Sequence, residues 1–79
     1  MKIQILYFAQ VSEKLGKTQE SLVIPEGSSS KDLIFLLEST NPALIGLKYK
    51  LAMNQTLYNS EFELVDGAEI ALLPPFAGG

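Results

Sequence analysis

The sequence has neither histidine nor cysteine, so it lacks both an imidazole base and a thiolate nucleophile. The same absences remove the usual donors of a zinc or copper site. The polar groups that remain include nine carboxylates, six lysines, serines and tyrosines, and their spacing matches no catalytic constellation. Gly16, Gly27, Gly46 and Gly67 each stand alone, which rules out a phosphate-cradling glycine loop. The group best placed for chemistry is the α-carboxylate of Gly79. It ends the run Pro74-Pro75-Phe76-Ala77-Gly78-Gly79, which at roughly 3.1 to 3.5 Å per residue can reach about 20 Å from the body of the protein. Gly78 and Gly79 have no side chains, so the tip of this arm fits a slot too narrow for other residues. A frayed end without function would have the same composition.

The elements that must carry such an arm fit one small domain. A chain of 79 residues with 47% apolar content is of globular rather than disordered composition. No apolar run approaches the ~18 residues of a membrane span, and no signal-like segment precedes the first alternating stretch. The expectation is a soluble, cytoplasmic protein with no membrane partner. The absence of cysteine is compatible with a reducing compartment. A net charge of −3 with no arginine offers no basic patch to follow phosphates, so nucleic acid is not expected as a partner. A basic protein surface suits the overall charge better.

In chain order, Lys2 to Phe8 alternates as a strand, with Ile3, Ile5 and Tyr7 on one face and Gln4, Leu6 and Phe8 on the other. The second face turns apolar towards Phe8, as a second buried layer or as a patch that awaits a partner. Ala9 to Leu15 is expected as a short helix stopped by Gly16. Thr18 to Ile24 is read as a strand at an edge or hairpin position, followed by a turn at Pro25-Glu26-Gly27. Ser29 and Asp32 fit a capping box, and Leu33, Ile34, Leu36 and Leu37 form the stripe of the main helix, which ends before Pro42. A single helical turn fits between Asn41 and Leu47. Tyr49 to Met53, a turn at Asn54-Gln55, and Leu57-Tyr58 follow as strand, turn and very short strand. Asp66-Gly67 is a turn pair. Ile70 to Leu73 is apolar on both faces, as in a central strand covered on both sides, and Pro74 cannot continue it. The expected architecture is α+β: a mixed sheet of about five strands gripping one main helix, with short extra helices. This is the ubiquitin-like β-grasp, with residues 1–73 as the domain and 74–79 as an extended tail.

Phe8-Ala9-Gln10-Val11, Met53-Asn54-Gln55-Thr56, and Asp66-Gly67 leading to Pro74-Pro75-Phe76-Ala77-Gly78-Gly79 form an ordered set. Together they resemble the small subunit of molybdopterin synthase, a sulfur carrier of molybdenum cofactor biosynthesis, over essentially the whole chain. That resemblance implies a β-grasp fold and a carrier with no cofactor of its own. It also implies an adenylyltransferase like the ubiquitin-activating enzymes, which uses ATP to adenylate the carboxylate of Gly79. Sulfur transfer then makes a thiocarboxylate, which the large synthase subunit presents to a cyclic pyranopterin precursor. Two carriers are consumed per dithiolene, and the family assembles as a heterotetramer. A terminal carboxyl with a pKa of about 3.5 is ionised at neutral pH and can attack the α-phosphate.

By the same resemblance Gly79 and Gly78 are the functional end, Phe76 and Ala77 lie along the partner's channel, and Pro74 and Pro75 stiffen the exit. Phe8, Leu57 and Leu73 form the partner-facing patch. Many relatives carry arginine just after the Phe-Ala-Gln-Val segment, where this chain has Ser12. Other ubiquitin-like carriers, for thiamine synthesis or transfer-RNA thiolation, and protein modifiers share the glycine pair. A β-grasp interaction module that uses only the Phe8/Leu73 patch is the alternative outside carrier chemistry.

Overall fold

The computed structural model describes residues 1–75. Its elements are β1 (Lys2–Tyr7), α1 (Ala9–Leu15), β2 (Gln19–Val23), α2 (Ser30–Thr40), a 3₁₀ turn (Pro42–Leu44), β3 (Lys50–Met53), β4 (Thr56–Tyr58) and β5 (Glu69–Leu73). The strands form one mixed sheet in the order β2-β1-β5-β3-β4. β1 and β5 are parallel, and the other three pairings are antiparallel. One sheet with one principal helix across one face is the β-grasp architecture expected from the strand and helix pattern.

Local chemistry explains the helices. Ser29 Oγ accepts from the Asp32 amide while the Asp32 carboxylate accepts from the Ser29 amide at 2.9 Å, completing the capping box at the start of α2. At the other end the Asn41 amide donates to Leu37 O, and Pro42 follows within the 3₁₀ turn. α1 stops at Gly16, whose φ of 74° and amide bond to Ser12 O require the left-handed conformation that glycine adopts freely.

The core lies between the sheet and α2. Ile3, Ile5 and Tyr7 of β1 and Ile70 and Leu72 of β5 meet Leu33 and Leu37 of α2, with Val11, Leu44, Leu51, Leu64 and Ala68 closing the perimeter. Burying each large aliphatic side chain contributes about 1.5 to 3 kcal/mol before entropy is counted. Leu36 and Ile34 are packed only partly against this core, while Phe35 is exposed on the far side of the helix.

β2 is an edge strand, as its imperfect alternation suggested, and its regular part is Gln19–Val23. A bridge between Ser29 and Glu63 adds a contact that the sequence did not signal. β5 departs from expectation in one respect. It is central, yet only Ile70 and Leu72 are buried; Ala71 and Leu73 are half-buried. The helices cover one face of the sheet, and the other face is left to solvent.

Leu37 is fully buried, so Leu37→Ala should lower stability by about 3 kcal/mol through lost transfer energy and a residual cavity. Urea unfolding checks this, and a loss below about 1 kcal/mol would show that the core is not packed as described.

Candidate functional site

Register assembles the site on the uncovered face. Leu6 of β1 stands opposite Ala71 of β5, Ala71 opposite Ala52 of β3, and Ala52 opposite Leu57 of β4. These four residues form one apolar row across the sheet. Leu73, two residues beyond Ala71, leads the next row and faces Lys50. Phe8 lies just past the end of β1, where its amide donates to Leu72 O at 3.2 Å, which brings it beside Leu73. Phe8 and Leu57 are 42% and 49% exposed, respectively. Leu6, Ala71 and Leu73 are half-buried, and Ala52 is buried between its neighbours. A contiguous apolar strip of this kind is a candidate surface for a protein partner.

The three residues assigned to a partner-facing patch, Phe8, Leu57 and Leu73, therefore share one face. Leu6, Ala71 and Ala52 complete the strip and were not singled out from the sequence. Their alternation was visible, but the register that aligns them was not. Phe8 is exposed rather than part of a second core. Its direction depends on Ala9, which has φ of 50° and turns the chain directly into α1. An alanine in this left-handed region costs about 1 kcal/mol. No residue preference of alanine announces that strain, whereas the positive φ of Asn54 and Gln55 falls in a turn.

β1 is fixed beneath the strip by Tyr7. Its buried hydroxyl donates to the Glu20 carboxylate of β2, and Lys17 Nζ pairs with the same carboxylate at 3.1 Å. Burial pushes the Tyr7 phenol above its ordinary value, and the hydrogen bond to Glu20 and the charge of Glu20 add to the rise. Burial would raise Glu20 too, but the Tyr7 hydrogen bond, then Lys17 and Asn41, together hold its carboxyl below the ordinary glutamate range.

At the end of β5, Pro74 is half-buried and Pro75 exposed, both outside regular structure. Phe76, Ala77, Gly78 and Gly79 lie outside the described residues. Among the described residues, no group of three or more acidic side chains could hold a metal ion, and no helix is long and apolar enough to cross a membrane.

The motifs at the base of β5 act as pins. Asn54 Oδ1 accepts from the Glu69 amide at 2.9 Å, and the Asn54 amide donates to Glu69 O at 2.8 Å. On the other side, Asp66 Oδ1 accepts from the Lys2 amide at 2.8 Å, and the Gly67 amide donates to Lys2 O at 2.8 Å. Both motifs therefore set β5 in its register, and so set where Leu73 and the prolines emerge.

The ThiS family model matches residues 5–79. The chain belongs to the ThiS family. Among the relatives of this ThiS-family chain, the molybdopterin synthase sulfur carrier subunit of Escherichia coli (strain K12) is 35% identical, with 98% of this chain and 99% of that protein covered. The protein of the same description from Chlamydomonas reinhardtii is 31% identical over the full length of both. Solved structures agree on the fold. A putative molybdopterin converting factor subunit 1 from Pyrococcus furiosus superposes with a TM-score of 0.88 at 23% identity, covering 96% of this chain and 99% of that one. SAMP1 from Haloferax volcanii gives 0.85 at 20% identity over both whole chains. A chain from the complex of subunits 1 and 2 of the molybdopterin-converting factor of Helicobacter pylori gives 0.71 at 24% identity, again over both whole chains.

The Tyr7–Glu20 pairing makes the site's foundation sensitive to acid. A carboxyl held low in the folded state contributes stability above its unfolded pKa and loses it as pH falls through the folded pKa. Glu20→Gln should therefore cost about 1 kcal/mol at neutral pH, the worth of one partly screened charged hydrogen bond. It should also flatten the decline in stability below about pH 5. Unfolding curves taken across that range check this, and profiles parallel to wild type would contradict it.

Proposed function

We propose that this chain is the sulfur-carrier subunit of a molybdopterin synthase, with the carboxylate of Gly79 as the group that bears sulfur. The observation that carries this reading is the match to sulfur carrier subunits over essentially their whole length, with the family match running through Gly79. The residue inventory agrees, because a chain without histidine or cysteine is better suited to carry a reacting group than to act on one. In this reading an adenylyltransferase uses ATP, and an oxygen of the Gly79 carboxylate attacks the α-phosphorus as pyrophosphate leaves. A sulfide-level donor then attacks the acyl carbon and AMP leaves, which yields the thiocarboxylate. The chain itself binds no cofactor.

The large synthase subunit is the partner that receives the loaded tail. A solved complex of the two converting-factor subunits, whose small chain shares this fold, supports the pairing. The apolar face supplies the dock: Phe8, Leu57 and Leu73 are covered by the partner, Pro74 and Pro75 stiffen the departing chain, and Phe76 and Ala77 lie along the partner's channel. Threading the tail shields the reactive acyl group from water. Gly78 keeps the chain slender next to the reacting carbon. The structural likeness to SAMP1 reflects the shared fold and does not favour a modifier role over the carrier role.

Two variants test the reading. Deletion of Gly79 should abolish sulfur delivery in a reconstituted synthase assay and leave the urea midpoint unchanged, and a truncated chain that still delivers sulfur would sink the proposal. Phe8→Asp should weaken binding to the large subunit by about 100-fold, as expected when a charge enters the centre of an apolar interface. Titration calorimetry reads this directly, and wild-type affinity would remove Phe8 from the dock.

A further inference from the structure

The apolar strip has one cation in it. Lys50 faces Leu73 across the β3–β5 ladder. It is exposed, whereas the next residue, Leu51, joins the core. Lys50 therefore lies on the outer face, in the row of Leu73 and next to the row that holds Ala52 and Leu57. Among the described residues the one ion pair joins Lys17 to Glu20, so Lys50 makes no ion pair there, although the exposed Glu61 lines the same cleft. The acidic residue of β5, Glu69, is four positions before Leu73, a separation of roughly 13 Å along a strand. That exceeds the Debye length of about 8 Å at physiological salt. Glu20 belongs to the opposite face and is already shared by Tyr7 and Lys17.

An ammonium at this position constrains what can cover the strip. The aliphatic stem of a lysine lies well along apolar neighbours such as Leu73 while its head stays hydrated. A partner that seals the face removes that water, and an unpaired buried charge is strongly unfavourable, whereas a carboxylate in good geometry offsets the loss. The overall charge of −3 suggested a basic partner surface. At the root of the tail the local requirement has the opposite sign.

We propose that Lys50 is a specificity-determining contact, and that the large subunit covering this face places a carboxylate against the Lys50 ammonium. The inference rests on the docking role of the apolar face proposed above. It assigns to the partner an apolar surface with one acidic residue set beside the position that receives Leu73.

The test is calorimetric titration of the large subunit, and separately of the adenylyltransferase, with Lys50→Met, Lys50→Glu, Lys50→Arg and Phe8→Asp, each at low and high salt, with thermal melts as the control for folding. Lys50→Glu should weaken binding about 100-fold, Lys50→Met about tenfold with a shallower salt dependence, and Lys50→Arg little. If Lys50→Met and Lys50→Glu bind as wild type while Phe8→Asp fails, the face docks but Lys50 stays in solvent, and the assignment is overturned. If Phe8→Asp also binds as wild type, the docking reading itself falls. Should the Lys50 variants bind the large subunit normally but lose affinity for the adenylyltransferase, the carboxylate belongs to that enzyme and the assignment to the large subunit is wrong.

Discussion

The placement of β5 between β1 and β3 is the constraint on which the rest of the molecule depends. A last strand inserted into the centre of a sheet must satisfy hydrogen bonds on both of its edges. It does so through a parallel ladder to β1 and an antiparallel ladder to β3. Its inner residues, Ile70 and Leu72, are fully buried and form the floor on which α2 rests. Its outer residues, Ala71 and Leu73, join Leu6 and Ala52 into a continuous surface. The same strand therefore builds the core with one face and the proposed dock with the other, and leaves regular structure at Pro74. A one-residue slip of β5 would exchange those faces and destroy both. The paired bonds of Asn54 and Asp66 around its base oppose such a slip.

This arrangement suits a carrier. Fidelity in a carrier comes from delivering one reacting atom to the correct place, and that requires a rigid origin for the arm and a surface that aligns it. The sheet provides the origin, since β5 is held on both sides. The apolar strip provides alignment, because its rows lie beside the point where the chain leaves. Tyr7 and Glu20 add stiffness under Phe8 by tying β1 to the edge strand. Ala9 stores a small strain that turns the chain at that point, and the neighbouring ladder bond from Phe8 to Leu72 holds the aromatic residue in position.

Much of the fold was legible because its signals are local. The capping box of Ser29 and Asp32, the stop at Gly16, the single turn before Leu47 and the Asn54-Gln55 reversal are all written within a few residues of where they act. The central place of β5 was also readable from the unbroken apolar run Ile70 to Leu73. That run misled in one way, since small and half-buried residues on an uncovered face look the same in sequence as residues under a second layer. Long-range geometry was not legible. The row Leu6, Ala71, Ala52 and Leu57 exists only through three registers, and the hydrogen bond from Tyr7 to Glu20 joins residues 13 apart in the chain. Nothing about an alanine predicts a positive φ at Ala9. Asn-Gln-Thr and Asp-Gly were recognisable as motifs, and the structure supplies their physical reason as the pins of β5.

The central claim is that the carboxylate of Gly79 accepts sulfur, and the mass of the C-terminal peptide tests it most directly. The protein is incubated with ATP, a sulfur donor and the adenylyltransferase, then cleaved after Glu69 to release Ile70 to Gly79. That peptide contains no methionine, so oxidation at Met1 or Met53 cannot mimic the exchange of oxygen for sulfur. A sulfur-for-oxygen mass shift confined to this peptide and dependent on ATP is the expected result. An unshifted peptide, obtained with an enzyme shown to be active on another carrier, would contradict it.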